Sequence, residues 1–215
     1  MSINKKYITQ SREPFYELAS NLIKENDLVL DIGAGNGSFA KHCKNNEIYL
    51  VDGNFQTVSN NLKSYKNYFH SVLPILPFED KKFNLIHCSH VVEHLDAETL
   101  YQTVKEMDRC LKLGGHLVIS SPLLTDFFYN DLSHVKPYNP EVFIKYLTKG
   151  QFENLTREKI SNTYSVLNLT FRYKKVKFIT GDFVLPIDFF LRILEKIGIC
   201  KYIKTGYTLV LYKMN

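Results

Sequence analysis

Residues 29–39, VLDIGAGNGSF, constrain the fold of this chain more than any other stretch. An apolar run, Leu28–Ile32, ends in Gly33, Gly35 and Gly37, and a helical pattern begins just after them. Glycines at such a place allow positive φ and let backbone N–H groups approach a ligand at a helix N-terminus. The order of strand, glycine turn and helix predicts the opening βα unit of a parallel sheet. Further strands are predicted at residues 48–51, 68–73, 83–88 and 116–121, between helical patterns at 15–23, 39–43, 56–65 and 97–111. Such alternation implies right-handed crossovers and an α/β fold. Beyond Pro122 a loop rich in Asp, Asn and Pro leads to a helix at 141–147. Residues 152–155 begin another strand, and residues 207–212 form the last one.

The glycines fall as GxGxG, unlike the dinucleotide fingerprint GxGxxG, and Asp31 stands two residues before the first of them. A carboxylate beside the turn repels pyrophosphate and suits a cationic ligand. Asp52, 21 residues further on in YLVDGN, ends the next strand, where a carboxylate accepts hydrogen bonds from both ribose hydroxyls. One acid toward an ammonium group and another on a ribose meet the demands of S-adenosylmethionine.

With these residues the chain resembles the class I S-adenosylmethionine-dependent methyltransferases with a VLDxGxGxG first motif. The resemblance continues through LPFEDKKFNLIHCSHVVEHL, residues 76–95, and LKLGGHLVISSP, Leu111–Pro122, and covers about residues 12–122. Asn84 and Leu113 depart from the family's usual Asp and Pro, and no acid precedes LPF to hold the adenine amino group. The resemblance implies a three-layer, Rossmann-like sheet of seven strands, mostly parallel, with the last strand antiparallel and helices on both faces. It implies one methyltransferase domain over residues 1–215, with a basic insertion or cap at about 156–204. It also implies cofactor contacts at Asp31, Gly33, Ala34, Gly35, Asp52, Gly53, Asn54, Val72 and Ser89, with adenine held by backbone near Val72.

Methyl transfer from a sulfonium is an in-line displacement in which alignment supplies most of the acceleration, and a base is needed only for an acceptor protonated at neutral pH. Two histidines are candidate bases. His94 lies in VVEHL after the fourth strand. His134 lies in LSHVKPYNPEVF, which resembles a segment of methyltransferases that modify sugars and surface polysaccharides and which includes Tyr138 as a candidate substrate contact. The HxxEH string at residues 90–94 does not suit a zinc peptidase, because it follows a buried strand in an α/β frame. A lesser reading compares it with methyltransferases that carry ExxEH, making His90, Glu93, His94 and His134 metal ligands. No metal is expected on the leading reading.

Charge bears on the acceptor. Residues 1–134 carry 13 Lys+Arg and 16 Asp+Glu, whereas residues 135–215 carry 14 and 6. Arg172, Lys174, Lys175 and Lys177 alternate with Tyr173, Val176 and Phe178, which reads as a strand with a positive edge. Such an edge resists aggregation, and it also attracts an anionic acceptor such as a nucleotide-sugar, a lipid-linked phosphate or RNA. Residues 182–198 are amphipathic enough to touch a membrane surface, yet no stretch is long enough to span one. The four cysteines are spread too widely for a metal knuckle, and no secretory signal is present, so a reducing cytoplasmic setting is expected. The leading expectation is methyl transfer to a small or carrier-linked acceptor, with oxygen favoured as the accepting atom. The alternatives are a metal-assisted RNA 2′-O-methyltransferase and a cofactor-binding partner subunit without catalysis.

Overall fold

The computed structural model describes residues 4–43, 46–150, 155–175 and 202–214. Strand β1 (Leu28–Ile32) is the central element, and its last four residues are buried. It pairs in parallel with β2 (Glu47–Asp52) on one side and β4 (Phe83–Ser89) on the other. Burial on both faces favours the apolar, branched residues seen there. Outward from these lie β3 (Tyr68–His70) beside β2, and β5 (Leu111–Pro122) beside β4. The last strand, β7 (Tyr202–Lys213), runs antiparallel between β5 and β6 (Tyr164–Lys175). The sheet order is therefore β3-β2-β1-β4-β5-β7-β6, with six strands in one sense and β7 reversed.

Two layers of helix cover the sheet. Helix α3 (Ala97–Cys110) buries Leu100, Val104 and Met107, and α4 (Pro140–Leu147) buries Phe143 and Leu147 in the same apolar cluster. Asp96 starts α3, its carboxylate accepting from the Glu98 and Thr99 N–H groups at 2.8 and 2.9 Å. On the other face, α1 (Glu13–Ser20) sets Tyr16 and Ala19 against Val29, Phe39, Leu85 and Val118. Asn84, in place of the usual Asp, still serves as an acceptor, taking hydrogen bonds from the Leu28 N–H and the Lys112 ammonium.

Several elements are shorter than the sequence predicts. Residues 39–43 make only a 3-10 turn, Ala40–His42, too short to propagate as a helix. Helix α2 (Phe55–Asn61) stops before Tyr65, whose hydroxyl is drawn back to the glycine turn. Strand β3 ends at His70 because Ser71 and Val72 turn the chain, through bonds linking them to Ile75. Strand β5 starts five residues earlier than expected and absorbs Gly114 at φ +76° and a register shift against β4. The expected strand start at 152–155 falls mostly outside the described residues. The next strand is β6, which takes up residues 164–175 of the stretch expected to cap the domain. Lys177, Phe178 and the amphipathic segment 182–198 also lie outside the described residues.

Phe83 is wholly buried where the rings of Tyr49 and Phe78 meet it, at centroid distances of 5.4 and 5.0 Å. Phe83→Ala should lower stability by about 3–5 kcal/mol in chemical denaturation, the range for truncating a buried aromatic. A loss below about 1 kcal/mol would show that this aromatic cluster collapses around the gap.

Candidate active site

The glycine turn is held by strand β2. The Val51 carbonyl accepts from the N–H groups of Gly33 and Ala34 at 2.8 and 3.1 Å, so the hydrogen bonding between β1 and β2 continues past the end of the strand. Asp52 continues it further, one carboxylate oxygen accepting from the Gly35 N–H at 2.9 Å and the other from the Asn54 N–H at 2.8 Å. Tyr68 and Tyr65 donate to the carbonyls of Gly35 and Gly37, at 2.6 and 3.0 Å. Gly33 and Gly37 sit at φ +68° and +73°, and a Cβ on them would overlap Val91 and the Tyr65 ring. These two positions therefore require glycine on both conformational and steric grounds.

A cleft of about 320 Å³ opens beside this turn, at the C-terminal ends of the strands where open α/β sheets bind ligands. Gly33, Asp52, Gly53, Val72, His90 and His94 are among the residues that line it. The other expected cofactor residues lie elsewhere. Asp31 is 3% exposed, and its Oδ1 is 2.7 Å from Nδ1 of His87 across the β1–β4 pairing. Strand alternation turns it to the face opposite the cleft, with Phe39 stacked on the His87 ring, so it is not placed to face an ammonium group. Ala34 is buried, Gly35 contributes its N–H to Asp52, and the Asn54 side chain caps α2 through the Thr57 N–H. Ser89 lies in a separate polar pocket with Arg12 and Arg172. Tyr138 is also spent structurally. Its hydroxyl donates to the Leu95 carbonyl at 3.0 Å, and it lines a different cavity, of about 300 Å³, between α3 and α4.

His94 and His134 come together, with ring centroids 5.0 Å apart. Nδ1 of His94 lies 3.0 Å from the Ser133 carbonyl, and Nδ1 of His134 lies 2.6 Å from the Phe128 carbonyl. A carbonyl only accepts, so Nδ1 of each ring donates to it and Nε2 is left for other partners, that of His134 standing 3.9 Å from the Asp131 carboxylate. Glu93, wholly buried, joins them, and its carboxylate and the two imidazoles offer ligand atoms within 4.8 Å of one another. His90 is not part of that group. Its Nδ1 is 3.1 Å from Glu93 Oε1, too oblique for a hydrogen bond, which leaves that oxygen without one. Burial pushes the Glu93 carboxyl up, but the His90 and His94 rings and a backbone N–H more than reverse this and hold it below the usual range. Burial holds the His90 imidazole below its usual range, a shift that Glu93 opposes and Arg12 and Arg172 reinforce.

Residues 6–168, from before α1 into β6, match the family model described as a methyltransferase domain. The chain belongs to the methyltransferase domain family. It is a methyltransferase, and its cofactor is S-adenosylmethionine. YrhH of Bacillus subtilis, a candidate methyltransferase, is 29% identical over an alignment of 136 residues, with coverage of 53% of this chain and 74% of that protein. Among solved structures, a SAM-dependent methyltransferase from Archaeoglobus fulgidus superposes with a TM-score of 0.63 at 23% identity, covering 96% of each chain. A Bacillus halodurans protein superposes at 0.66 with 18% identity, over 96% of this chain and all of the other. At these identities the structural likeness concerns the fold. No helix among the described residues of this methyltransferase is long and apolar enough to cross a membrane.

Sequence reasoning missed His87, Tyr65, Tyr68 and Arg12. His87 lies within an apolar strand and meets Asp31 only through the β1–β4 register, which no local spacing encodes. Asp52→Ala should weaken binding of S-adenosylmethionine or its demethylated product about tenfold or more by calorimetry, since hydrogen bonds to a charged group carry about 1.5–3 kcal/mol. Unchanged affinity would remove Asp52 from the cofactor cleft.

Proposed function

We propose that S-adenosylmethionine lies in the cleft beside the glycine turn, with its ribose on Asp52, and that the His94–His134 pair activates a hydroxyl acceptor. The observation that carries this reading is the fixed orientation of both rings, each with Nδ1 on a backbone carbonyl and Nε2 left for another partner. Asp52 already takes two backbone donors, but each carboxylate oxygen keeps a second lone pair for a ribose hydroxyl. Adenine would lie along Gly53 and Val72, the latter 61% exposed at the rim. The lack of an acid there leaves backbone and apolar contact to hold it. The cofactor would supply a sulfonium methyl for in-line displacement, its sulfur–carbon bond breaking to leave a thioether as the carbon–oxygen bond forms, and a positioned Nε2 would take the hydroxyl proton. His94 lines the cleft and is the base nearer the donor. His134 lies beside it, its ring tilted by 55°, and would face the acceptor.

The acceptor on this reading is a small or carrier-linked molecule, and the chain acts as one methyltransferase domain. The basic edge strand β6 supports an anionic acceptor. It gives less support to RNA, which calls for a stacking platform of exposed aromatics.

A second reading is favoured by one observation, the convergence of Glu93, His94 and His134. Two imidazoles and a carboxylate suit a divalent transition metal, and Nδ1–H bonds to carbonyls are what orient metal-bound imidazoles. When bound, such an ion would act as a Lewis acid toward the acceptor oxygen.

Labelled methyl transfer into cell extract, followed by separate counting of the RNA, lipid and small-molecule fractions, tests both readings. His134→Ala and His94→Ala should lower incorporation by about 10²–10⁴-fold, the usual contribution of a positioned base, while binding of the demethylated cofactor is retained. An effect below threefold removes the pair as base. Loss of activity on chelation, with rescue by a divalent ion, would select the metal reading. Absence of incorporation in every fraction, with cofactor binding intact, would favour a non-catalytic partner subunit.

A further inference from the structure

Packing leaves one residue of the glycine turn without support. Gly35 sits at φ +56°, and where its Cβ would stand there is nothing within 4 Å, whereas Val91 and the Tyr65 ring fill the same places at Gly33 and Gly37. A glycine with open space around it ranges widely over φ and ψ, and holding it in one conformation costs entropy that another interaction must offset. Two hydrogen bonds supply it, one on each side of the Gly35 Cα. The Gly35 N–H donates to Asp52 Oδ2 at 2.9 Å, and the Gly35 carbonyl accepts from the Tyr68 hydroxyl at 2.6 Å.

The tyrosine that makes the second bond is itself fixed. Tyr68 opens β3, and it is 5% exposed, in a cluster with Ala34, Leu50 and Val58. Parallel pairing with β2 sets Tyr68 beside Leu50 and His70 beside Asp52, so the register that places the acid also places the phenol. Burial, and after it the charges of Asp52 and Asp31, push this phenol up from its usual value, so the hydroxyl keeps its proton and remains a donor. Tyr65, on the approach to β3, repeats the arrangement, donating to the Gly37 carbonyl at 3.0 Å.

Asp52 carries the effect to the cleft. It lines that cleft, and each of its carboxylate oxygens takes a backbone N–H, one of them from Gly35. A Gly35 free to turn would leave Oδ2 without a fixed donor and let the carboxylate rotate about its side-chain bonds.

We propose that Tyr68 is a positioning residue for the methyl donor: by holding the Gly35 carbonyl it keeps the Gly35 N–H on Asp52, and so fixes the carboxylate that receives the ribose. Tyr65 steadies the second half of the same turn. Tyr68 acts through Gly35 and Asp52, so it governs how tightly the donor is held and leaves the transfer step unchanged. This rests on the donor occupying the cleft with its ribose on Asp52.

The test compares the full chain of wild type with Tyr68→Phe, Tyr65→Phe and Tyr164→Phe, by calorimetry with the demethylated cofactor, chemical denaturation and labelled methyl transfer into extract. Tyr164→Phe is the control. It too removes one hydroxyl bond of a buried tyrosine, that to Asp108 at 2.8 Å, but on β6 at the opposite edge of the sheet. Tyr68→Phe should weaken cofactor-product affinity about fivefold or more, the scale of one net hydrogen bond, and Tyr164→Phe should leave it unchanged. The donor KM should rise by the same factor, with the rate at saturating donor within about twofold of wild type, as expected where ground state and transition state lose equal binding. Hydrogen exchange at the Gly35 N–H should quicken in Tyr68→Phe and not in Tyr164→Phe. Added to Asp52→Ala, Tyr68→Phe should cause no further loss of affinity, because both act through one carboxylate. Affinity of Tyr68→Phe within about twofold of wild type, an equal loss in Tyr164→Phe, or full additivity with Asp52→Ala would each overturn the proposal. Should Tyr68→Phe not fold, Tyr65→Phe decides: a loss of about twofold or more supports the positioning role, and a smaller one overturns it. Wild type that fails to bind the cofactor product, or Asp52→Ala that binds it as well as wild type, would instead defeat the reading of the cleft, and the proposal with it.

Discussion

Strand β2 governs the site from outside the glycine turn. The Val51 carbonyl takes two N–H groups of that turn, and the Asp52 carboxylate takes a third from Gly35. Without these acceptors the turn would be three glycines with great conformational freedom, and ordering them would be costly. With them, the loop is fixed to the same strand whose tip borders the cleft. The pairing of β1 with β2 is thus both a piece of the fold and the mechanism that shapes the cleft. The tyrosines on the neighbouring strand and its approach complete the clamp from the carbonyl side.

From this frame the remaining chemistry is distributed by strand order. The ends of β1, β2 and β4 border the donor cleft, and the ends of β4 and β5 border the polar pocket, where the reversed β7 and the edge strand β6 also arrive. His90 stands where the two compartments meet, at φ +57°. Next to it, Glu93, His94 and His134 gather because a 3-10 turn after β4 and the loop after β5 meet. The N–H groups of Val135 and Lys136 both donate to the Glu93 carbonyl and tie the two segments together.

Much of this was legible in the sequence wherever a local signal coincided with a global role. The apolar run before Gly33 marked β1 to the residue, and the alternation of elements gave the parallel half of the sheet. The place of Asp52 at the tip of the second strand was readable from the end of an apolar run. The surroundings of Asp31 were not legible, since neighbouring residues of a buried strand face opposite layers. Its partner, His87, lies 56 positions away and is reached only through register. The partner of Tyr138 was not legible, because a tyrosine in a loop can serve a ligand or a carbonyl equally well and only the tertiary structure shows the Leu95 carbonyl beside it. The full extent of β6 escaped because an edge strand half in water lacks clean alternation, as its mixed burial shows.

The ring common to the two compartments has a thermodynamic consequence. His90 lines both, so a ligand that displaces it on one side alters the walls of the other, and any change in affinity that results is reciprocal between the two sides.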